Sequence, residues 1–203
     1  MKGLILKDIL NLKRHSKYYM ILMGFYFILG VASEDFVMFG SMIIVFSAIL
    51  PITAISYDEK NNWDSYALTM PIARTDLIIS RYILGMIFLT LSFLITVILT
   101  IAFGSGAFKE SILESLAILA VGIILMSVIF PVIFKYGVEK GRNFMMMVLL
   151  APTGAIILFS KLGFTLPDIE AGKMLLYSLP AVTLTVLTAS ILISVSIYKK
   201  KEF

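Results

Sequence analysis

Six apolar runs, separated by short polar connections, set the pattern of this chain. At about 1.5 Å of rise per helical residue, a run near 20 residues crosses a bilayer core. On that scale spans are expected at Tyr18–Ser33, Phe36–Ser56, Leu77–Phe103, Ile112–Phe134, Phe144–Ser160 and Met174–Tyr198. The first is short, so flanking residues or local bilayer thinning must complete it. Glu34-Asp35 reads as a tight acidic turn, Gly104-Ser105-Gly106 as a break and Lys135 to Asn143 as a basic turn. Lys161–Lys173, with Gly163, Phe164, Leu166, Pro167, Asp168 and Glu170, reads as a short helical or re-entrant element. The expected fold is therefore an all-α integral membrane protein of six transmembrane helices in one domain, residues 1–203.

Two stretches depart from this rhythm. Residues 1–17 carry Lys2, Lys7, Lys13, Arg14 and Lys17, with Leu4 or Ile5, Ile9 and Leu12 close to one face, the pattern of a basic, amphipathic N-terminal interfacial helix. A signal peptide with its apolar core at Tyr18–Val31 and small residues at Gly30 and Ala32 is the competing reading, but five further spans follow and a retained helix serves as well. The second stretch is Tyr57–Asp76, the longest polar interruption between spans. Asp58, Glu59, Lys60, Asn61, Asn62 and Asp64 are too polar for hydrocarbon, while Trp63, Tyr66, Ala67 and Met70 recur at helical spacing. This predicts a short amphipathic helix over Tyr57–Met70, capped by Asp58 and ended by Pro71.

Composition sharpens the class. The 203 residues are 60% hydrophobic and 15% charged, against roughly 45–50% and 25% in soluble domains. The absence of cysteine removes disulfides and thiolate chemistry. Charge sets the sidedness. Fourteen of the 17 lysines and arginines fall on the side holding residues 1–17, the Tyr57–Asp76 stretch, the turn after span four and the Lys199-Lys200-Lys201 tail; only Lys109, Lys161 and Lys173 fall opposite. The positive-inside rule makes the first side cytoplasmic, with both termini there. The net charge of +4 is thus accounted for by topology and membrane lipid, without nucleic acid as a partner.

Candidate chemistry is sparse. No ionisable residue sits near the middle of a span, which argues against an ion-driven carrier. No phosphate loop, zinc helix or nucleophile elbow is present, so neither ATP hydrolysis nor peptide cleavage is expected of this chain. No catalytic, cofactor or metal residues are assigned. His15, the only histidine, reads as interfacial, and Arg81 and Tyr82 read as snorkelling and interfacial anchors of span three. Glu114, near the mouth of span four, reads as a solvated surface carboxylate. The hydroxyls Thr90, Ser92, Thr96, Thr100, Thr183, Thr185, Thr188, Ser190, Ser194 and Ser196 fit helix back-bonding or interhelical contact better than a substrate path. Gly137 and Gly141 match G-x-x-x-G but sit in the charged turn, where its membrane mechanism does not apply. Pro51, Pro131, Pro152 and Pro180 admit two readings, tolerated membrane prolines or hinges. The Tyr57–Met70 helix carries Asp58, Glu59 and Asp64, an acidic face ill-suited to anionic lipid and suited to docking a protein.

The order of two spans, then YDEKNNWDSYALTMPIARTDLIISRYI, then four spans resembles the small six-span permease subunits of bacterial ABC exporters of the type-2 membrane class. Asp58-Glu59, Trp63, Tyr66, Leu68, Met70-Pro71 and Arg74 occupy the family's pattern between spans two and three. The resemblance implies that this segment is a cytosolic coupling helix, with Asp58, Glu59, Lys60, Asn61, Asn62, Trp63, Asp64, Tyr66 and Arg74 contacting a separate ABC ATPase that binds ATP and Mg. It implies pairing with a second permease copy or a sister permease in a bacterial cell membrane. Antimicrobial or cytolytic peptides, or other amphipathic cargo, are the exported substrates such systems suggest. A membrane scaffold recruiting a cytosolic partner, and an ATP-independent carrier, are the alternatives.

Overall fold

The computed structural model describes residues 2–13, 16–33, 36–103, 108–161 and 169–201. His15, the Glu34-Asp35 turn, the Gly104-Ser105-Gly106 break and most of the element before the last span lie outside the described residues. Those described form eight helices and no strand: α1 (Lys2–Lys13), α2 (Ser16–Ser33), α3 (Phe36–Lys60), α4 (Trp63–Ala67), α5 (Arg74–Phe103), α6 (Phe108–Tyr136), α7 (Val138–Lys161) and α8 (Ile169–Lys200). Four are long and apolar enough to cross a membrane, over Phe39–Lys60, Arg74–Ala102, Ile112–Tyr136 and Ser178–Lys200; α2 is apolar but shorter over Lys17–Ala32.

The bundle is centred on α3, α5, α6 and α8. The most extensive pairings are α3 with α5 and α6 with α8, and α5 also packs on α6 and α8. α7 leans on α6 and α3, whereas α2 touches only α1 and α3 among the described residues. The core runs through Ile44, Ile52, Ile78, Leu89, Met126, Ile129, Phe130 and Ile133. Tyr82, Phe130, Phe134 and Tyr198 make a chain of edge-to-face rings along α5, α6 and α8. Glycine permits the closest approaches: a methyl group at Gly40 would overlap Thr96, and one at Gly122 would overlap Ile44.

Several expectations are corrected here. The polar helix does not start at Asp58. Instead α3 continues through Lys60, Asn62 turns the chain in the left-handed region at φ 49°, and α4 spans only Trp63–Ala67 before turns lead past Pro71 into α5. Asparagine is among the few non-glycine residues that adopt this conformation readily. The basic turn at Lys135–Asn143 shrinks to one residue, Gly137 at φ 86°, with α7 beginning at Val138. Gly141, set aside in the sequence as an irrelevant motif, is a packing position, since a methyl group there would overlap Ile133. On α1 the buried stripe is Leu4, Asp8 and Leu12, while Ile9 is 40% exposed.

Nine of the ten hydroxyls behave as expected. Thr90, Thr96, Thr100, Thr183, Thr185 and Thr188 donate to carbonyls three or four residues back. Ser47 and Ser92 bond across α3 and α5. Tyr82 Oη lies 2.6 Å from Ser190 Oγ and 2.8 Å from Ser194 Oγ, and Ser190 donates to the Ser127 carbonyl at 2.5 Å. Tyr82 is therefore a buried interhelical contact, a correction to its expected place at the interface.

Candidate functional site

Five helix ends, the middle of α1 and the short α4 gather at one end of the bundle. Arg81 near the start of α5 reaches Asp8 of α1 and Asp58 of α3, Glu59 of α3 reaches the first residue of α7, and Lys201 beyond α8 reaches the carbonyl of Phe134 on α6. Here the polar stretch between α3 and α5 is folded.

Beneath it lies an ion cluster of Lys7, Asp8, Asp58 and Arg81. Arg81 Nη1 donates to Asp8 Oδ2 at 2.8 Å, and Arg81 Nη2 donates to Asp58 Oδ2. Lys7 Nζ stands 2.7 Å from both oxygens of Asp58. It is also 3.1 Å from Asp8 Oδ1, at ion-pair distance but without hydrogen-bond alignment. Asp8 is 1% exposed, and Asp58 and Arg81 are each 4% exposed. Two acids and two bases cancel, which is the condition under which buried charge is tolerated. Burial raises the pKa of Asp8 above the ordinary aspartate value, and Arg81 and Lys7 pull it back only in part. Arg81 is thus a buried partner in this cluster, where the sequence suggested a snorkelling anchor. Asp8 left a readable sign in the sequence, a carboxylate at i+4 between Leu4 and Leu12 on one helical stripe; the apolar-face reading passed over it.

The nine residues expected to dock a partner divide into three groups. Asp58, Glu59 and Arg74 are engaged within the chain. Glu59 Oε2 accepts the Val138 N–H at 2.8 Å, placing a carboxylate at the N-terminus of α7 where the helix dipole favours it. Arg74 Nη1 donates to the carbonyls of Lys199 at 3.1 Å and Lys201 at 2.8 Å, closing the C-terminus of α8. Lys60, Asn61, Asn62 and Tyr66 are exposed, with Tyr66 at 57%. Trp63 and Asp64 are half-buried: Lys7 Nζ lies 4.4 Å from the Trp63 ring centroid, and Tyr66 stacks at a tilt 5.5 Å away. Asp64 shares a small polar cleft with Arg81 and Tyr198. Ala67 is fully buried and Leu68 and Ile72 pack on the core, so α4 is pinned along one side and open on the other.

Beside the exposed group is a polar recess of about 290 Å³ lined by Ser56, Glu59, Lys60, Tyr136, Glu139, Lys140 and Arg142. The arrangement is a fixed tip, residues 60–66, braced from behind by a neutralised ion cluster and flanked by mixed charge. The tip thus offers polar and aromatic side chains to a partner surface, and the cluster behind it is neutral as a whole.

No curated protein and no solved structure matches the chain. Residues 3–199 match the family described as ABC-2 family transporter protein, nearly the whole length. The chain therefore belongs to the ABC-2 transporter family and is a multi-pass membrane permease component of an ABC transporter, of a kind that associates with an ABC ATPase rather than being one.

Proposed function

We propose that this permease is the membrane subunit of an ATP-driven exporter, and that residues 60–66 are the tip through which a separate ATPase moves it. The observation that carries this reading is the exposure of Lys60, Asn61, Asn62 and Tyr66 at the one end where α1, α3, α5, α6, α7 and α8 meet. A load taken there bears directly on the end of α3 and, through Asp58, on α5 and α1. Two copies, or this chain and a sister permease, would enclose the path, with amphipathic peptides as the cargo class.

Six crossings fit the same contacts. α3 and α8 both end at the α4 end, as α6 does, while α1 lies there and α7 begins there. The chain has to leave that end and return between α1 and the end of α3, and again between α7 and the end of α8. On this reading α2 and α7 each make a crossing. At about 1.5 Å per residue their lengths, near 27 and 36 Å, suit a core of roughly 30 Å. The lysine and arginine asymmetry then supports a cytoplasmic α4 end.

The test is capture of an ABC ATPase encoded beside this chain, by permease purified in mild detergent. Glu59 and Trp63 are poor probes because both also hold the fold. Tyr66→Arg and Lys60→Glu alter only exposed side chains, and each should cut ATPase capture about tenfold, equivalent to about 1.4 kcal/mol, with the unfolding temperature unchanged. Wild-type capture by both variants would sink the docking assignment.

A further inference from the structure

A second recess opens at the same end of the bundle, between the C-terminal ends of α6 and α8. It holds about 300 Å³ and is lined by Phe134, Lys135, Ile197, Lys200 and Lys201. We propose that it binds the headgroup of an anionic phospholipid, the phosphate among the lysines and the glycerol and upper chains against Phe134 and Ile197.

Depth comes first. The two helices are apolar over Ile112–Tyr136 and Ser178–Lys200, so both spans run out at the recess, where hydrocarbon gives way to headgroups. Its lining changes character at the same level, from Phe134 and Ile197 to three lysines, and among the described residues no carboxylate lines it. A free anion needs no apolar floor, and a soluble peptide would have to reach bilayer depth; a phospholipid presents its phosphate and its chains in this order. About 300 Å³ is roughly ten water-sized groups, room for a phosphate and glycerol.

Lys135 and Lys200 are not accounted for by capping. Carbonyls at a helix C-terminus attract cations, but the end of α8 is already answered by Arg74, which donates to Tyr198, Lys199 and Lys201. The last turn of α6 is closed by the Gly137 N–H on the Ile133 carbonyl at 2.8 Å. Lys201 Nζ reaches the Phe134 carbonyl at 3.4 Å, which holds one ammonium at the rim. Lys135 lies 5.0 Å from the centroid of the neighbouring Tyr136 ring, with its charge still available to an anion. Basic pockets between membrane helices are recognised headgroup sites, and each lysine near an anionic lipid surface contributes about fivefold in affinity.

The test uses the intact protein in uncharged detergent, titrated with dioleoyl phosphatidylglycerol and read by native mass spectrometry; it needs no ATPase, so its outcome is separate from the docking assignment. One saturable phosphatidylglycerol should bind, with dioleoyl phosphatidylcholine at least tenfold weaker. Lys200→Gln should weaken binding about fivefold and Lys135→Gln/Lys200→Gln roughly 25-fold, while Lys2→Gln/Lys17→Gln, the same loss of charge at exposed positions elsewhere, should leave it unchanged. Lys135→Arg/Lys200→Arg should retain it. Wild-type binding by Lys200→Gln, equal loss in the Lys2/Lys17 pair, equal binding of phosphatidylcholine, or displacement by inorganic phosphate at the lipid's own concentration would each overturn the assignment.

Discussion

Arg81 and Tyr82 are neighbours on α5, about 100° apart around the helix, and they meet two different chemistries. Arg81 faces α1 and α3 and is held by full charges from Asp8 and Asp58; Tyr82 faces α6 and α8 and is held by the hydroxyls of Ser190 and Ser194. Both are buried. The bundle grades its polar contacts by place. Charges appear where the middle of α1 meets the end of α3 and the start of α5, and there they neutralise one another. On the other side of the same helix, neutral groups bond across the spans at little desolvation cost. The ionic side is stiff and fragile, because removing one charge strands the others. The hydroxyl side is forgiving, because Ser190 keeps the Ser127 carbonyl whatever happens to Tyr82.

The contrast can be broken by substitution. Arg81→Met leaves Asp8 and Asp58 with Lys7 alone and should cost about 3–5 kcal/mol, visible as a large fall in the unfolding temperature of the detergent-purified protein. A fall no greater than that of Tyr82→Phe would end the distinction. Tyr82→Phe removes one hydroxyl from a membrane-embedded network and should cost about 0.6–1.7 kcal/mol in the same assay. The smallest effect is one of pH. Because burial raises the pKa of Asp8 above the usual 3.8, the folded protein binds this proton more tightly than the unfolded chain. Stability from Asp8 is therefore greatest at low pH and falls as pH rises from about 3.8 through the raised value. Asp8→Asn carries no such slope, so its stability relative to wild type should improve as pH climbs through that window; a relative decline would show that the bases hold Asp8 ionised throughout.

Much of the fold was legible because hydrophobic runs report on membrane spans directly. The four long candidates fall within a few residues of the expected limits, and the back-bonding of the threonines followed from their chemistry. The end carrying the candidate site was less legible. Asp58 has the residue type of an N-cap, yet α3 runs past it because Arg81, 23 positions on, offers a buried partner. Glu59 was read as a docking residue from its charge and Arg74 from the family pattern, but they close helices 79 and more than 120 residues away. Spacing along one helix cannot announce a partner on another. The exposed residues Lys60, Asn61 and Asn62 were picked from local polarity, which does report on a surface; Tyr66 was read onto the apolar face with Trp63 and Ala67, yet it is 57% exposed.

Gly137 has a consequence for the counting of residues. It alone separates α6 from α7, and the next helical turn places Gly141 where Ile133 leaves no room for a methyl group. One residue inserted after Gly137 would advance α7 by about 100° and bring Lys140 to the place of Gly141. A lysine would then stand against Ile133, and Phe144 would replace Met145 on the inward face. The joint is an index mark: it fixes which side of α7 the rest of the bundle meets, and the chain has no spare length there to absorb an error.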